Sequence, residues 1–128
     1  MIPKDLKYTK THEWARVEGS TVTVGITDFA VHELGDIVFL ELACADREVK
    51  QEGTFGVVES VKAAVDLCSP VSGHVVETHA DLANDFATLA SDPYDKGWMI
   101  KVKPANPKEL DSLMTAAEYE EYVKTQQH

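Results

Sequence analysis

Cysteine is scarce in this chain. Two residues in 128, Cys44 and Cys68, lie far apart and cannot form the dense framework that holds a small disulfide-built fold together. A pair of buried reduced thiols is expected rather than a disulfide. No apolar run approaches membrane-spanning length. The start, Met1-Ile2-Pro3-Lys4-Asp5, has neither an apolar signal region nor an Arg/Ser-rich presequence, so a cytoplasmic location is expected, with the mitochondrial matrix only if a transit peptide has been removed. Basic residues are also few: 12 Lys and Arg against 22 Asp and Glu give a net charge of −10. That balance excludes nucleic acid as a partner, because phosphate tracking needs clustered cations. It leaves solubility alone, or steering toward basic patches on protein partners. Ligand spacing is missing too. There is no Cys-x-x-Cys and no His-x-x-x-His beside a Glu, so His12, Glu13, His32, His74 and His79 are not expected to build a metal site. No nucleophile elbow or phosphate loop appears.

What is present suits a globular protein: 44% hydrophobic and 27% charged residues in a length that fits one domain, 1–128, with a core over about 4–104 and a helical tail over about 106–125. His12–Val17 and Thr21–Ile26 flank the turn-former Glu18-Gly19-Ser20 and predict a hairpin. Val22, Val24 and Ile26 alternate with Thr21, Thr23 and Gly25, which predicts one inward face. Thr27 reads as the N-cap and Gly35 as the stop of a short helix near 28–34. Strands are predicted over Ile37–Leu42, Phe55–Val61, Ala63–Leu67, Val71–Thr78 and Trp98–Val102, the last closed by Pro104. Asn106-Pro107-Lys108-Glu109 and Thr115-Ala116-Ala117-Glu118 open two short C-terminal helices. The tetrapeptide Val57-Val58-Glu59-Ser60 recurs as Val75-Val76-Glu77-Thr78, as expected of two similar halves packed about a pseudo-two-fold axis.

The segment richest in chemistry is Gly56-Val57-Val58-Glu59-Ser60-Val61-Lys62-Ala63-Ala64. One lysine lies between two strand-like runs, with small residues directly after it. A side chain at a hairpin tip is open to an enzyme from most directions. Spacing alone reads equally as a lysine placed for solubility.

The surrounding motifs decide between these readings. Glu59-Ser60-Val61-Lys62-Ala63 resembles the lipoylation motif of glycine cleavage H proteins. Thr11-His12-Glu13-Trp14, Gly25-Ile26-Thr27-Asp28-Phe29-Ala30, Leu34-Gly35-Asp36-Ile37-Val38-Phe39, Ser69-Pro70-Val71-Ser72-Gly73, Asp92-Pro93-Tyr94 and Gly97-Trp98-Met99-Ile100-Lys101-Val102 resemble further segments of that family, in its order, over about residues 4–125. Biotin carriers usually place Met on both sides of the lysine, where this chain has Val61 and Ala63. Lipoyl domains of the 2-oxoacid dehydrogenases usually show Asp-Lys-Ala and lack the His12-Glu13-Trp14 start. The chain departs from the family pattern at His74, His79, Cys44-Ala45 and Asp85, all outside the lysine hairpin.

The resemblance implies a mainly β fold, a flattened barrel or sandwich hybrid of lipoyl-domain type, and a carrier that catalyses nothing alone. It implies lipoate joined to Lys62 as an amide, with Glu59, Ser60, Val61 and Ala63 forming the attachment motif. The implied partners are a pyridoxal-phosphate glycine decarboxylase, a tetrahydrofolate-dependent aminomethyltransferase, an FAD-containing dihydrolipoamide dehydrogenase and lipoyl-attaching enzymes. The aminomethyl adduct hydrolyses readily, and its amine is cationic, so a cleft with a carboxylate is needed to shelter it. Glu13 and Asp66 match the family's cleft. Two other readings share these residues: an H-like relay of lipoyl groups to other enzymes, and an interaction module whose Lys62 stays unmodified.

Overall fold

A computed structural model describes residues 3–43 and 46–126. Cys44, and with it the expected pair of thiols, lies outside the described residues; Cys68 is free and half-buried. Among the described residues, nine strands form two antiparallel sheets. They are β1 (Lys7–Tyr8), β2 (Glu13–Glu18), β3 (Thr21–Ile26), β4 (Ile37–Leu42), β5 (Glu48–Val49), β6 (Thr54–Ser60), β7 (Ala64–Cys68), β8 (Gly73–Thr78) and β9 (Ile100–Pro104). One sheet runs β1-β2-β3-β9-β8-β5 and the other β4-β6-β7. Both sheets stay open, and their inner faces bury one core that includes Val24, Leu40, Phe55, Val58, Val75 and Ile100. The helices are α1 (Asp28–Leu34), α2 (Phe86–Ser91) and α3 (Ala116–Gln126), with 3-10 turns at Ala80–Asn84 and Pro107–Ser112.

The caps follow their chemistry. Ala30 N–H donates to Thr27 Oγ1 at 3.2 Å, and Gly35 N–H closes α1 on the Val31 carbonyl at 3.1 Å. Gly35 has φ 76°, a conformation that side chains with a β-carbon resist. Thr115 and Glu118 form the expected capping box, each side chain accepting the other's backbone N–H.

Several boundaries differ from expectation. The predicted strand over His12–Val17 begins one residue later, because His12 takes φ 72° to present its carbonyl to Thr27 N–H at 3.0 Å. The first of the two predicted tail helices is a 3-10 turn, with Asn106 as its cap. Neither α2 nor β5 was predicted; α2 is opened by Asp85, whose carboxylate accepts from Thr88 N–H at 3.2 Å and Thr88 Oγ1 at 2.6 Å. The repeated tetrapeptide occupies β6 in one sheet and β8 in the other, but out of phase. Val58 and Ser60 are buried in β6, whereas Val75 is buried in β8, where the pairing with β9 shifts register between Val75 and Glu77.

The larger correction concerns β3, which is covered on both faces. Val22, Val24 and Ile26 face the shared core as expected, and Thr23 and Gly25 are buried as well. The Trp14 indole lies across Gly25 so closely that a β-carbon there would sit 2.5 Å from its ring. Trp14 belongs to a second apolar cluster with Leu6, Tyr8, Ala116, Tyr119 and Val123. The tail therefore packs as a cover on the N-terminal hairpin. Tyr119 fastens it: its ring stacks on Tyr8 at 4.7 Å, and its hydroxyl bonds His12 Nδ1 at 2.9 Å and Thr27 Oγ1 at 2.7 Å. Tyr119→Phe keeps the stack and removes the hydroxyl's bonds to half-buried His12 and to Thr27, whose Oγ1 retains the Ala30 N–H. Each net hydrogen bond contributes about 1 kcal/mol, so a melting point lower by roughly 5 °C is the expected result of thermal denaturation.

Candidate functional site

Strands β6 and β7 pair from Thr54↔Cys68 to Glu59↔Ala64, leaving Val61, Lys62 and Ala63 as the tip of a hairpin. Ser60 organises that tip. Its N–H donates to the Ala63 carbonyl at 2.7 Å, and its buried hydroxyl accepts from Lys62 N–H at 3.3 Å and Ala63 N–H at 3.2 Å. Such local side-chain bonds substitute for ladder bonds and hold a turn in one shape. The N–H of Val61 reaches the Asp36 carbonyl at 3.0 Å, tying the tip to the loop between α1 and β4. Lys62 is exposed, and its stem passes beside Gly35, whose missing β-carbon would lie 3.9 Å from Lys62 Cε. The lysine side chain is thus exposed on a turn fixed at its base.

Beside the tip lies a cleft of about 170 Å³. The helix α1 supplies Ala30, Glu33 and Leu34; β6 and β7 supply Val58, Val65 and Leu67; the N-terminal segment supplies Thr11, His12 and Glu13; Ile26 and Ala63 complete it. Its walls are mostly apolar, and Glu13 stands out among them. That side chain is 1% exposed. Its Oε1 accepts from the hydroxyls of Thr9, at 2.6 Å, and Thr11, and its Oε2 from Cys68 N–H at 3.1 Å. Burial pushes its carboxyl above the ordinary range, while these bonds, from Thr11, Thr9 and Cys68, pull it back. No ion pair joins Glu13 to a cation among the described residues. A carboxylate accepts about four hydrogen bonds, so it retains capacity for a cationic donor.

Asp66 is placed differently. Register pairs it with Val57 and, across β6, with Glu41, on the face of the sheet opposite Val65 and Leu67. It is exposed and does not line the cleft with Glu13. Glu33, which sequence reading passed over, does line it. The signal was available, since helical spacing puts residue 33 on the face that carries Ala30 and Leu34. Burial lowers the His12 imidazole and the Glu33 charge opposes that shift. Thr9 was also passed over, because no sequence pattern reveals that its hydroxyl will reach Glu13.

Glu59 lies beside Phe39 and Ala64 on the outer face of its sheet, away from the cleft. The histidines that depart from the family pattern lie elsewhere as well. His74 bridges Glu48 at 2.9 Å and Asp46 at 3.2 Å, and His79 stacks on Trp98 at 4.4 Å. A second hollow of about 480 Å³ lies between Tyr8, Gln51, Cys68 and Met114, and none of the tip residues Val61, Lys62 and Ala63 lines it.

Comparison with known proteins covers nearly the whole chain. Residues 6–126 match the family model described as glycine cleavage H-protein. The glycine cleavage system H protein of Anaeromyxobacter sp. (strain K) is 49% identical over 126 residues, 98% of each chain. That of Magnetococcus marinus is 51% identical over 124 residues, 97% of this chain and 89% of the relative. The crystal structure of a glycine cleavage system H protein from Mycobacterium marinum superposes with a TM-score of 0.84 at 40% identity, covering 98% of both chains. A lysine held out at a hairpin tip, a sheltered carboxylate in the cleft along that hairpin and this agreement in sequence and fold lead to one conclusion: the chain belongs to the glycine cleavage H-protein family.

Proposed function

We propose that Lys62 is the lipoyl attachment residue and that the cleft ending on Glu13 holds the charged end of the loaded arm. The protein is a carrier, the lipoyl-bearing shuttle of the glycine cleavage system, and its partners are the other proteins of that system. In this reading residues 1–128 act as one lipoyl-carrier domain. The partners are a pyridoxal-phosphate glycine decarboxylase, a tetrahydrofolate-dependent aminomethyltransferase, an FAD-containing dihydrolipoamide dehydrogenase and a lipoyl-attaching enzyme.

The observation that carries the proposal is the hairpin tip, where Ser60 fixes the turn and leaves the Lys62 side chain open. The residues fit a lipoyl amide. The attachment amine is exposed, Ala63 and Ala64 leave room around it, and an apolar cleft opens within the same hairpin. When bound, lipoate supplies a dithiolane sulfur that takes up the one-carbon unit and later returns electrons. The chain's own residues do the rest. Val58, Val65 and Leu67 exclude water along the cleft. Glu13 offers a desolvated carboxylate, held by Thr9, Thr11 and Cys68 N–H, to a cationic amine. Asp66, exposed on the opposite face of the hairpin sheet, takes no part in this contact. Cys68 does not compete for sulfur chemistry, since burial and the Glu13 charge push its thiol up and keep it protonated. The test is the mass of the peptide containing Lys62 from native cells, which should carry one lipoyl group; an adduct on Lys50 or Lys96 instead would overturn the assignment.

Partner encounter should depend on salt. The net charge of −10 includes Glu41, Glu59 and Asp66 on the outer face of the lysine hairpin sheet. Charge steering weakens as the screening length falls from ~10 Å at 0.1 M to ~3 Å at 1 M salt. The Michaelis constant for this protein with the decarboxylase should rise roughly threefold or more over that range. A flat response would leave the acidity as solubility alone.

A further inference from the structure

Exposed large apolar residues are few among the described residues, and three of them gather around the lysine tip. Val38 is 56%, Phe39 43% and Val61 76% exposed. A β-bulge produces this. Ile37 pairs with Ser60 and Phe39 with Glu59, leaving Val38 as the extra residue. Strand alternation would otherwise turn one of any two neighbours inward. The bulge re-aims the strand so that Val38 and Phe39 both face solvent, while Ile37 and Leu40 pack on the core. Val61 joins them through its N–H bond to the Asp36 carbonyl. Scattered exposed apolar residues need no explanation, but a group beside the one reactive side chain does.

We propose that Val38, Phe39 and Val61 form the docking surface for the enzyme that acylates Lys62; this rests on the reading of Lys62 as the attachment residue. The choice of occupant follows from reach. Before modification the amine extends only the length of a four-carbon stem from the turn. An enzyme that binds it must bring its own surface against the tip and against β4 beside it. Later partners meet the end of a much longer arm and can act farther from the tip. Charge selects the partner's rim as well. Glu59 and Glu41 lie on the same outer face as Phe39, so the matching surface is an apolar hollow edged with Lys or Arg.

The experiment compares two reactions of full-length protein carrying Val38→Thr with Phe39→Thr, and separately Val61→Thr. Threonine retains strand preference and these positions lie outside the core, so the variants should melt with the wild type. First, the unmodified proteins are given lipoate, ATP and a lipoate–protein ligase, and modification of Lys62 is followed by intact mass. Second, each protein is driven to full modification by long incubation, and reoxidation of its dithiol by dihydrolipoamide dehydrogenase is measured. The expected result for the double variant is a fall of tenfold or more in kcat/KM for attachment with unchanged reoxidation, and recovery of attachment with Phe39→Leu; Val61→Thr should show a smaller fall in attachment. Attachment at the wild-type rate overturns the proposal. An equal fall in both reactions also overturns it, since the surface would then serve every partner alike. Wild-type protein modified at a residue other than Lys62 would refute the attachment assignment itself, a failure distinct from the other two.

Discussion

Lys62→Arg should abolish lipoylation and, with it, all turnover in a reconstituted glycine decarboxylation–exchange assay. Arginine keeps the positive charge, but its delocalised guanidinium is no acyl acceptor at neutral pH. The fold should not register the change. Lys62 is exposed, and the turn is held by Ser60 and by backbone bonds that the substitution leaves in place. A surface change of this kind costs roughly 0.5 kcal/mol or less. Near-identical melting curves together with lost activity place the defect in the acceptor amine. Retained exchange activity would refute the carrier assignment of Lys62, and peptide mapping of the variant would show where the adduct had gone.

The second large effect is expected from Glu13→Gln. A charge-assisted hydrogen bond to a sheltered carboxylate contributes roughly 1.5–3 kcal/mol, and ~1.4 kcal/mol is a factor of ten in population. The loaded arm should therefore leave the cleft at least tenfold more often. Loaded carrier, freed of decarboxylase and without folate, should release ammonia and formaldehyde correspondingly faster. The variant is gentle to the fold. A glutamine oxygen can still accept from Cys68 N–H, and its amide can donate to the Thr9 and Thr11 hydroxyls, which rotate to accept. Because burial raises the Glu13 carboxyl, the native state favours its protonated form more than the unfolded chain does. Ionisation therefore removes stability as the pH rises through that raised value, and glutamine is spared the loss. Retention should run the other way in wild type. It is present above the raised value and lost as Glu13 protonates on acidification, whereas the Gln variant shows no such step. Equal decay of the two proteins at neutral pH would show that shelter comes from elsewhere in the cleft.

Much of the local structure is legible in residue order. The lysine hairpin was readable because two β-rich runs meet at a single lysine followed by small residues, and α1 because the Thr27 hydroxyl and the Gly35 backbone mark its ends by local chemistry. The predicted hairpin over β2 and β3 formed, as did the tail helix opened by Thr115. Short elements were less legible. Strand β5 has two residues and exists only because β8 lies alongside it, and the Ala80–Asn84 turn has no side-chain cap to announce it.

What the sequence determined by itself is therefore the tip lysine and the helix caps, which depend on neighbours within a few positions, and the acidic balance, which is a sum over the chain. Only the tertiary structure decided the cleft. Glu13 and Cys68 are brought together from 55 positions apart. Tyr119 reaches back 107 positions to His12 and covers the outer face of β2 and β3, which strand alternation would have left in water. Asp66 and Glu33 also changed places relative to the cleft, for the same reason. A strand's alternation says that residues 65 and 67 share a face, but not which face will be opposed by a helix. That choice is made by the packing of α1 against the sheet, a contact between surfaces that no local spacing encodes.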